Sequence, residues 1–316
     1  MSEHAVDPAD EERHAPEAED LWNESYYCDF VQQDGSFGGW FRLGLYPNLQ
    51  VAWWTAWIVR PGQPGLCSID YHMPVPPGTG LTTASEQAEV EVELRRPLEE
   101  FRLAVPRMAA RRLARPEDAY DDGGGEPVDA ALDLTWATDG VPYHYDLTTR
   151  YEIPGLVTGT VTVGGETLTV DGHGQRDHSW GVRDWWAFGW CWNSMRLDDG
   201  TRVHLADIRM LPGVPVFFGY VQTPPTEVHP ATALTVTEVL GEHGFPTSGR
   251  IEIVAAPAHD LGLDVTPVAF GPVLLRNDED GRTSRFPRAM VRCRTDDGRT
   301  GTGWIEWNQP EPAPPG

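Results

Sequence analysis

The sequence contains no lysine, so all 24 of its basic side chains are arginines, and they face 48 acidic residues. The formal net charge of −24 repels phosphate backbones and gives no polybasic anchor for anionic lipids. We therefore expect no nucleic acid among the partners of this protein and no polybasic membrane anchor.

Long apolar runs and paired cysteines are also missing. No window reaches the roughly 18 consecutive apolar residues of a transmembrane helix, and residues 1–20 lack the apolar region of a secretory signal. The four cysteines are scattered and form no CxxC pair, unlike those of a disulfide framework or a zinc ribbon. These absences predict a cytoplasmic protein without an integral membrane segment.

The residues that are abundant predict a β-protein. Tryptophan occurs 13 times, more often than phenylalanine (10) or tyrosine (9), and 40% of the chain is hydrophobic, which is ample for a core. The hydrophobic pattern has a period of two, in short runs separated by Gly- and Asp-rich turns. We predict an all-β fold with two antiparallel barrel-like or sandwich-like domains in tandem.

The domain limits follow from composition. Residues 1–20 hold eight acids and one arginine, which predicts a disordered acidic tail. We place an N-terminal β domain over 21–151, a C-terminal β domain over 152–308, and a Pro-rich tail over 309–316.

The most unusual segment, residues 171–186, packs histidines, aspartates, arginines and tryptophans between glycines. Glycines allow the backbone to approach a ligand or another strand closely. If the segment is extended, Arg176, His178 and Trp180 share one face, and Asp177 and Ser179 share the other. A histidine beside an indole suits acid–base chemistry against an apolar wall. The alternative is that the charges form ion pairs and the tryptophans fill a core.

The next two predicted strands add aromatic and acidic side chains. The first presents three aromatic rings on one face: Phe188, Trp190 and Trp192. The second places Leu205 and Asp207 on one face. Asp207 is either desolvated and protonated near neutral pH, or ionised and paired with Arg209 or Arg196.

The run Gly172-x-Gly174-x-Arg-Asp-His-Ser-Trp-Gly181 resembles the signature of the hydroxyneurosporene synthase (carotenoid 1,2-hydratase) and AttH-like family. The resemblance covers roughly residues 20–308. It implies a pair of lipocalin-like β-domains with a hydrophobic pocket, no cofactor, and an isoprenoid or polyene substrate. Family members hydrate a terminal alkene, and related proteins catalyse cyclisations.

The resemblance also implies site residues. His178 and Trp180 match a His and a Trp that matter for activity in the hydratases. The Asp of a Tyr-x-Asp pair on a following strand matches Asp207, whereas its Tyr is Leu205 here. The family's Asn between His and Trp is Ser179.

Together these observations predict a cofactor-independent, acid-catalysed hydratase, dehydratase or cyclase for an apolar isoprenoid, polyene or steroid-like molecule. Asp207 protonates an alkene, and Trp180 together with the Trp190/Trp192 face stabilises the resulting cation. His178 orients Asp207 or deprotonates an attacking water. Six further residues are expected to bind substrate: Arg176, Asp177, Phe188, Trp190, Trp192 and Leu205.

Three alternatives stay open at this point. The same pocket suits a non-catalytic, lipocalin-like carrier of hydrophobic ligands. Asp171, His173, Asp177 and His178 are close enough in sequence to suggest metal ligands, but adjacent strand residues point apart and no cysteine joins them, so we predict no metal. The third alternative is a structural or interaction protein with an acidic surface.

Overall fold

The computed structural model describes residues 5–121, 124–256 and 258–311. The fold is all-β, which confirms the predicted fold class. Within the described residues the only helices are short 3-10 turns: Pro8–Glu11, Pro116–Tyr120 and Glu242–Gly244. None of the helices in these ranges is long and apolar enough to cross a membrane.

The chain forms two compact units. The first contains the chain up to Ile58, Leu66–Arg112 and Gly125–Arg183, and the second contains Val59–Gly65, Leu113–Gly124 and the chain from Asp184 onwards. The change of unit after Arg183 differs from the predicted boundary at residue 151. The predicted C-terminal domain therefore loses the whole RDHSWG motif to the first unit.

The first unit contains eleven strands, and eight of them form a closed antiparallel ring. Its strands are β1 Trp22–Gln32, β2 Gly38–Tyr46, β3 Val51–Val59, β4 Gly65–Pro74, β5 Thr82–Ala84, β6 Ala88–Arg96, β7 Glu100–Leu113, β8 Glu126–Thr138, β9 Tyr143–His144, β10 Arg150–Val163 and β11 Glu166–Val182. The ring runs β4-β3-β2-β1-β11-β10-β8-β7 and closes through pairing of β4 with β7. β5 and β6 extend the sheet beyond β7, and β9 pairs with β10.

The second unit is built in the same way. Its strands are β12 Gly189–Leu197, β13 Arg202–Arg209, β14 Val216–Thr223, β15 Glu227–Leu240, β16 Pro246–Ala255, β17 Leu261–Phe270, β18 Val273–Arg276, β19 Thr283–Phe286, β20 Arg288–Thr295 and β21 Thr300–Glu311. Pairing of β12 with both β13 and β21 closes a ring of eight, which runs β12-β13-β14-β15-β16-β17-β20-β21. β21 includes residues 309–311 of the predicted tail, and 312–316 lie outside the described residues.

The expected disordered tail is wrong for residues 5–20, because the structure gives this segment a defined place. Pro8–Glu11 forms a 3-10 turn capped by the Asp7 side chain, which accepts a hydrogen bond from the Ala9 amide at 2.9 Å. Glu11 has no exposed surface. The acidic composition predicted that this segment is solvated. Glu11 is buried instead because its carboxylate binds the buried guanidinium of Arg176. We call residues 5–20 the N-terminal segment.

The glycines of the central motif serve close contact between strands. A Cβ at Gly174 would lie 1.9 Å from the carbonyl oxygen of Asp29 on β1, and one at Gly172 would lie 2.1 Å from that of Val31. The backbones of β1 and β11 therefore approach so closely that no side chain fits between them.

We expect Gly174→Ala to destabilise the protein by more than about 3 kcal/mol, because the new methyl group meets backbone atoms that cannot rotate away. Urea denaturation measures the loss. Gly124→Ala is the matched control, since the nearest atom to a Cβ there is 3.8 Å away. Equal stability of the two variants would contradict the close approach of β1 and β11.

Candidate active site

The central motif divides its side chains between the two faces of β11, as predicted. His178 pairs with Tyr26 and Arg176 pairs with Cys28, and both partners belong to the buried core of the first unit. Directly paired residues point to the same side of a sheet, so Arg176, His178 and Trp180 face the barrel interior. Asp177 lies on the outer face.

Three polar contacts fix the ring of His178, one of them between Nδ1 and the Tyr151 hydroxyl at 3.2 Å. Its Nδ1 lies 2.8 Å from the carbonyl oxygen of Asp10, and its Nε2 lies 3.1 Å from Oε1 of Glu24. A carbonyl oxygen only accepts, so Nδ1 carries a hydrogen and Nε2 is the ring nitrogen that faces the carboxylate. Both side chains are 1% exposed. The pair is therefore joined by one buried contact between Nε2 and the carboxylate.

Glu24 is held ionised by its neighbours. The backbone N–H of His14 donates to Oε1 at 2.9 Å, and Nδ1 of the His14 ring lies 2.8 Å from the same oxygen. Burial alone would raise the pKa of Glu24, but the hydrogen bonds from His14 and His178 lower it below its ordinary value. The carboxylate therefore stays ionised and accepts hydrogen bonds from both histidines.

Aromatic rings enclose the pair. The Tyr26 ring stacks on His178 with centroids 4.2 Å apart, and the Tyr151 ring meets the imidazole edge-on at 5.6 Å. Trp180 stacks on His14 at 3.8 Å, with its centroid 5.3 Å from that of His178. Such faces offer negative electrostatic potential to a cation that develops beside them.

A second buried charge pair lies beside His178. Oε1 of Glu11 accepts hydrogen bonds from Nη1 of Arg176 and from the hydroxyl of Tyr151, each at 2.6 Å. The guanidinium carbon of Arg176 lies 5.4 Å from the centroid of the Phe101 ring. Burial, and then the charge of Glu11, raise the pKa of Tyr151 well above its ordinary value, so the hydroxyl stays protonated.

One group of side chains in the described ranges has the composition of a metal site. One ligand atom each from His14, Glu24 and His178 lies within 4.8 Å of the other two. The same atoms are joined by hydrogen bonds that satisfy the carboxylate, so a cation would have to replace protons already accommodated there. The metal candidates from the sequence do not meet, because His178 points inward while Asp177 points outward.

The outer face of β11 carries a salt-bridge network. Nη2 of Arg150 lies 2.7 Å from Asp177 and its Nε lies 2.7 Å from Glu152. Gln175 also donates to Glu152 at 2.7 Å. Asp177, expected to bind substrate, is 5% exposed and tied into this network. The contact of Asp177 with Arg150 fixes β11 against β10.

The residues predicted from the second unit do not form the expected arrangement. Asp207 pairs with Cys191 across β12 and β13, so Trp190 and Trp192 point to the opposite face of the sheet. Arg209 donates from Nε to Asp207 at 3.0 Å. The alternative in which Asp207 is paired with Arg209 is therefore the one that the structure shows, and an aromatic wall facing Asp207 is wrong for these two tryptophans.

The other predicted binding residues of the second unit have separate surroundings. Trp190 donates its indole N–H to Glu306 at 2.8 Å, and Phe188 meets it edge-on at 6.3 Å. The Trp192 ring lies 5.7 Å from that of His204. Leu205 is fully buried in the aliphatic core of this unit.

Five residues around His178 escaped prediction: Glu11, His14, Glu24, Tyr26 and Tyr151. The first two lie in a segment whose composition predicts disorder. Glu24 and Tyr26 lie in a run without a motif, and Tyr151 lies outside the segment 171–186 on which the prediction rests. Pairing of β1 and β10 with β11 brings Glu24, Tyr26 and Tyr151 together, and contacts of the N-terminal segment add Glu11 and His14. Local patterns contain no signal for these contacts.

The contact of His14 with Glu24 makes the attachment of the N-terminal segment sensitive to pH. Burial opposes protonation of His14, but the hydrogen bond and charge of Glu24, with a smaller contribution from Asp10, raise its pKa above 6.5. A raised pKa in the folded state adds stability that is complete below pH 6.5 and is lost as the pH rises through the folded pKa.

We therefore expect tryptic cleavage at Arg13 to accelerate from pH 6.5 to alkaline pH by more than the intrinsic change in trypsin activity. The same assay on His14→Gln supplies the reference, because that variant cannot gain the charge. Identical pH profiles for the two proteins would rule out a role for His14 in holding the segment.

Comparisons with known proteins agree with this fold. A family model described as Domain of unknown function (DUF7064) matches residues 7–311. No curated protein gives a significant match. Among solved structures, kievitone hydratase from Nectria haematococca superposes with a TM-score of 0.61 at 12% identity, over 91% of this chain and 89% of that one.

Two further structures are similar. An AttH candidate from Nitrosomonas europaea gives a TM-score of 0.61 at 15% identity, over 97% of both chains. CghA, solved with Sch210972, gives 0.59 at 11% identity, over 93% of this chain and 89% of that one. At these identities the likeness establishes a shared fold.

Proposed function

The chain belongs to the family described as Domain of unknown function (DUF7064), and we propose that this member is a cofactor-independent hydratase, dehydratase or cyclase for an apolar small molecule. The buried His178–Glu24 pair is the observation that carries the proposal. A similar fold in a kievitone hydratase supports a reaction of the hydratase type.

The pair supplies the proton that such reactions require. In the charged form of His178, Nε2–H is the acid that adds to a carbon–carbon double bond, and Glu24 offsets the positive charge until transfer. After transfer, neutral Nε2 is the base that removes a proton from an attacking water or from the carbon next to a cation. Hydration, dehydration and cyclisation differ in which of these groups quenches the cation.

The surrounding rings support this chemistry. The Tyr26 ring stacks on the imidazole of His178, and the Trp180 ring stacks on that of His14. An aromatic face beside a developing cation stabilises it by about 2 kcal/mol once water is excluded. Isoprenoid, polyene and steroid-like molecules meet the requirement for an apolar body with a double bond. Asp207, paired with Arg209, receives no role as the acid in this proposal.

Substrate reaches the pair through the end of the barrel that the N-terminal segment covers. Asp10, Glu11 and His14 all contact the cluster, whereas the other sides of His178 face the packed core. Displacement of this segment therefore precedes binding in the proposed cycle.

The test is a screen of unsaturated isoprenoids, polyenes and steroids with the full chain in deuterated water. Mass spectrometry distinguishes gain of one water, loss of one water, and an isomer that contains deuterium. We expect one of these products for at least one compound, and its loss in Glu24→Gln. Compounds that bind and emerge unchanged across the whole panel would overturn the proposal.

A non-catalytic carrier of hydrophobic molecules is the second candidate. The observation in its favour is that His178 and Glu24 are 1% exposed and covered by the N-terminal segment. In that case the cluster holds the segment in place, and the same screen yields binding without product.

A further inference from the structure

The interior of the second barrel contains hydrogen-bonding groups without partners. Asn193 has no exposed surface, and neither its Oδ1 nor its Nδ2 makes a hydrogen bond. The indole N–H of Trp307, which is 1% exposed, also makes none. Each such group costs about 1–3 kcal/mol when it is buried and unpaired, so a partner that supplies the missing bonds would stabilise the barrel.

The register places these groups on one face. Asn193 pairs with Leu205 and Ile305, and Trp307 pairs with Cys191. Asn193 and Trp307 are therefore diagonal neighbours across β12 and β21, a relation in which side chains about 7–8 Å apart at the backbone reach a common partner. Leu205, Ile305 and Cys191 all belong to the core, so this face is the interior.

The interior of the second barrel is also less filled by rings than that of the first, although both rings have eight strands. The described core of the first contains seven aromatic side chains: Tyr26, Phe30, Phe37, Phe41, Trp54, Phe101 and Trp136. In the second, Trp307 and the partly buried Phe270 stand among aliphatic residues. Eight-stranded barrels either fill their interior with side chains or hold one small ligand.

Exposed apolar side chains lie at one end of this barrel. Met210, Leu211 and Val214 lie between β13 and β14, and Val239 and Leu240 end β15, with exposures of 51–64%. Asp207, Arg209 and Glu238 lie at the same end, since Arg209 bonds both acids. An apolar rim at the end of a barrel is suited to collect an apolar molecule from solution.

We propose that the second barrel binds one neutral, apolar small molecule by a single carbonyl or hydroxyl oxygen. That oxygen accepts hydrogen bonds from Asn193 Nδ2 and Trp307 Nε1, while the apolar body contacts Leu205 and Ile305. The sequence predicts that Leu205 binds ligand, and this proposal gives it that role in the second barrel. The site is separate from the His178–Glu24 pair and does not depend on the function proposed for that pair.

The probe for this site is prodan, a neutral naphthyl ketone whose emission shifts to the blue in apolar surroundings. We expect saturable binding to the full chain with a blue shift. Trp307→Phe, which keeps the ring and removes the N–H, and Asn193→Leu should each weaken binding about tenfold, the effect of one hydrogen bond of 1.4 kcal/mol. Leu205→Trp should block binding by filling the interior.

Two controls make the result decisive. Glu24→Gln alters the first barrel and should bind prodan as the unaltered protein does, whatever its effect on turnover. Circular dichroism confirms folding, and Trp307→Phe carries the test if Asn193→Leu does not fold. Absence of saturable binding, or equal affinity in Trp307→Phe and the unaltered protein, would overturn the site.

Discussion

Replacement of Glu24 by glutamine is expected to lower turnover by about 100-fold to 10,000-fold, the range that general acid–base groups contribute. Glutamine keeps the size of the side chain and a hydrogen-bond acceptor for His178. It removes the negative charge that stabilises the protonated imidazole at 3.1 Å. The rate constant under saturating substrate, measured with the compound found in the screen, gives the effect.

Asp207→Asn is the informative control for this experiment. Asp207 is the acid that the sequence predicts, but its carboxylate is bonded to Arg209, so we expect near-normal turnover in this variant. The reverse outcome, with activity lost in Asp207→Asn and kept in Glu24→Gln, would return the catalytic role to Asp207. Both substitutions are isosteric, so unfolding is not expected to confuse the comparison.

Glu11→Leu is expected to destabilise the first unit by about 3–5 kcal/mol, the usual cost of leaving one member of a buried ion pair alone. Arg176 extends from β11 into the core, is 4% exposed, and has no route to water. Its Nε and Nη2 lack hydrogen-bond partners, and its Nη1 donates to Glu11. Loss of Glu11 therefore leaves the charge of Arg176 without its carboxylate partner. Chemical denaturation monitored by tryptophan fluorescence measures the loss.

Replacement of the other member of the pair, Arg176, should lower the free energy of unfolding less than Glu11→Leu does. In Arg176→Met the N-terminal segment can detach and return Glu11 to solvent, whereas β11 cannot move Arg176 out of the barrel. The double variant should be more stable than Glu11→Leu alone, because an apolar side chain then replaces the unpaired cation. A double variant less stable than either single one would show that the two residues do not act as a pair.

Some of this site follows from sequence alone. Alternation along an extended chain assigned Arg176, His178 and Trp180 to one face and Asp177 to the other, and the structure confirms it. The all-β class followed from the same period of two. These successes concern residues within one strand, where covalent geometry fixes the direction of each side chain.

The errors concern relations between strands that are far apart in sequence. The relative faces of Trp190 and Asp207 depend on the register between β12 and β13, which neither strand encodes alone. The boundary between the units lies after Arg183 and not at residue 151, because β11 returns to pair with β1. The N-terminal segment looked solvated because composition averages over residues, while a single buried Glu11 decides its position.

The closure of the first barrel also constrains how the chain is made. β1 is hydrogen-bonded on one edge to β2 and on the other to β11, and Trp22 pairs with Val182. During synthesis from the N-terminus, β1 to β3 can form hairpins soon after leaving the ribosome, but the second edge of β1 stays open until β11 emerges. Open strand edges recruit other chains. The nascent first unit is therefore expected to depend on chaperones that bind before residue 182 is translated, and slow codons between β10 and β11 would lengthen that exposure.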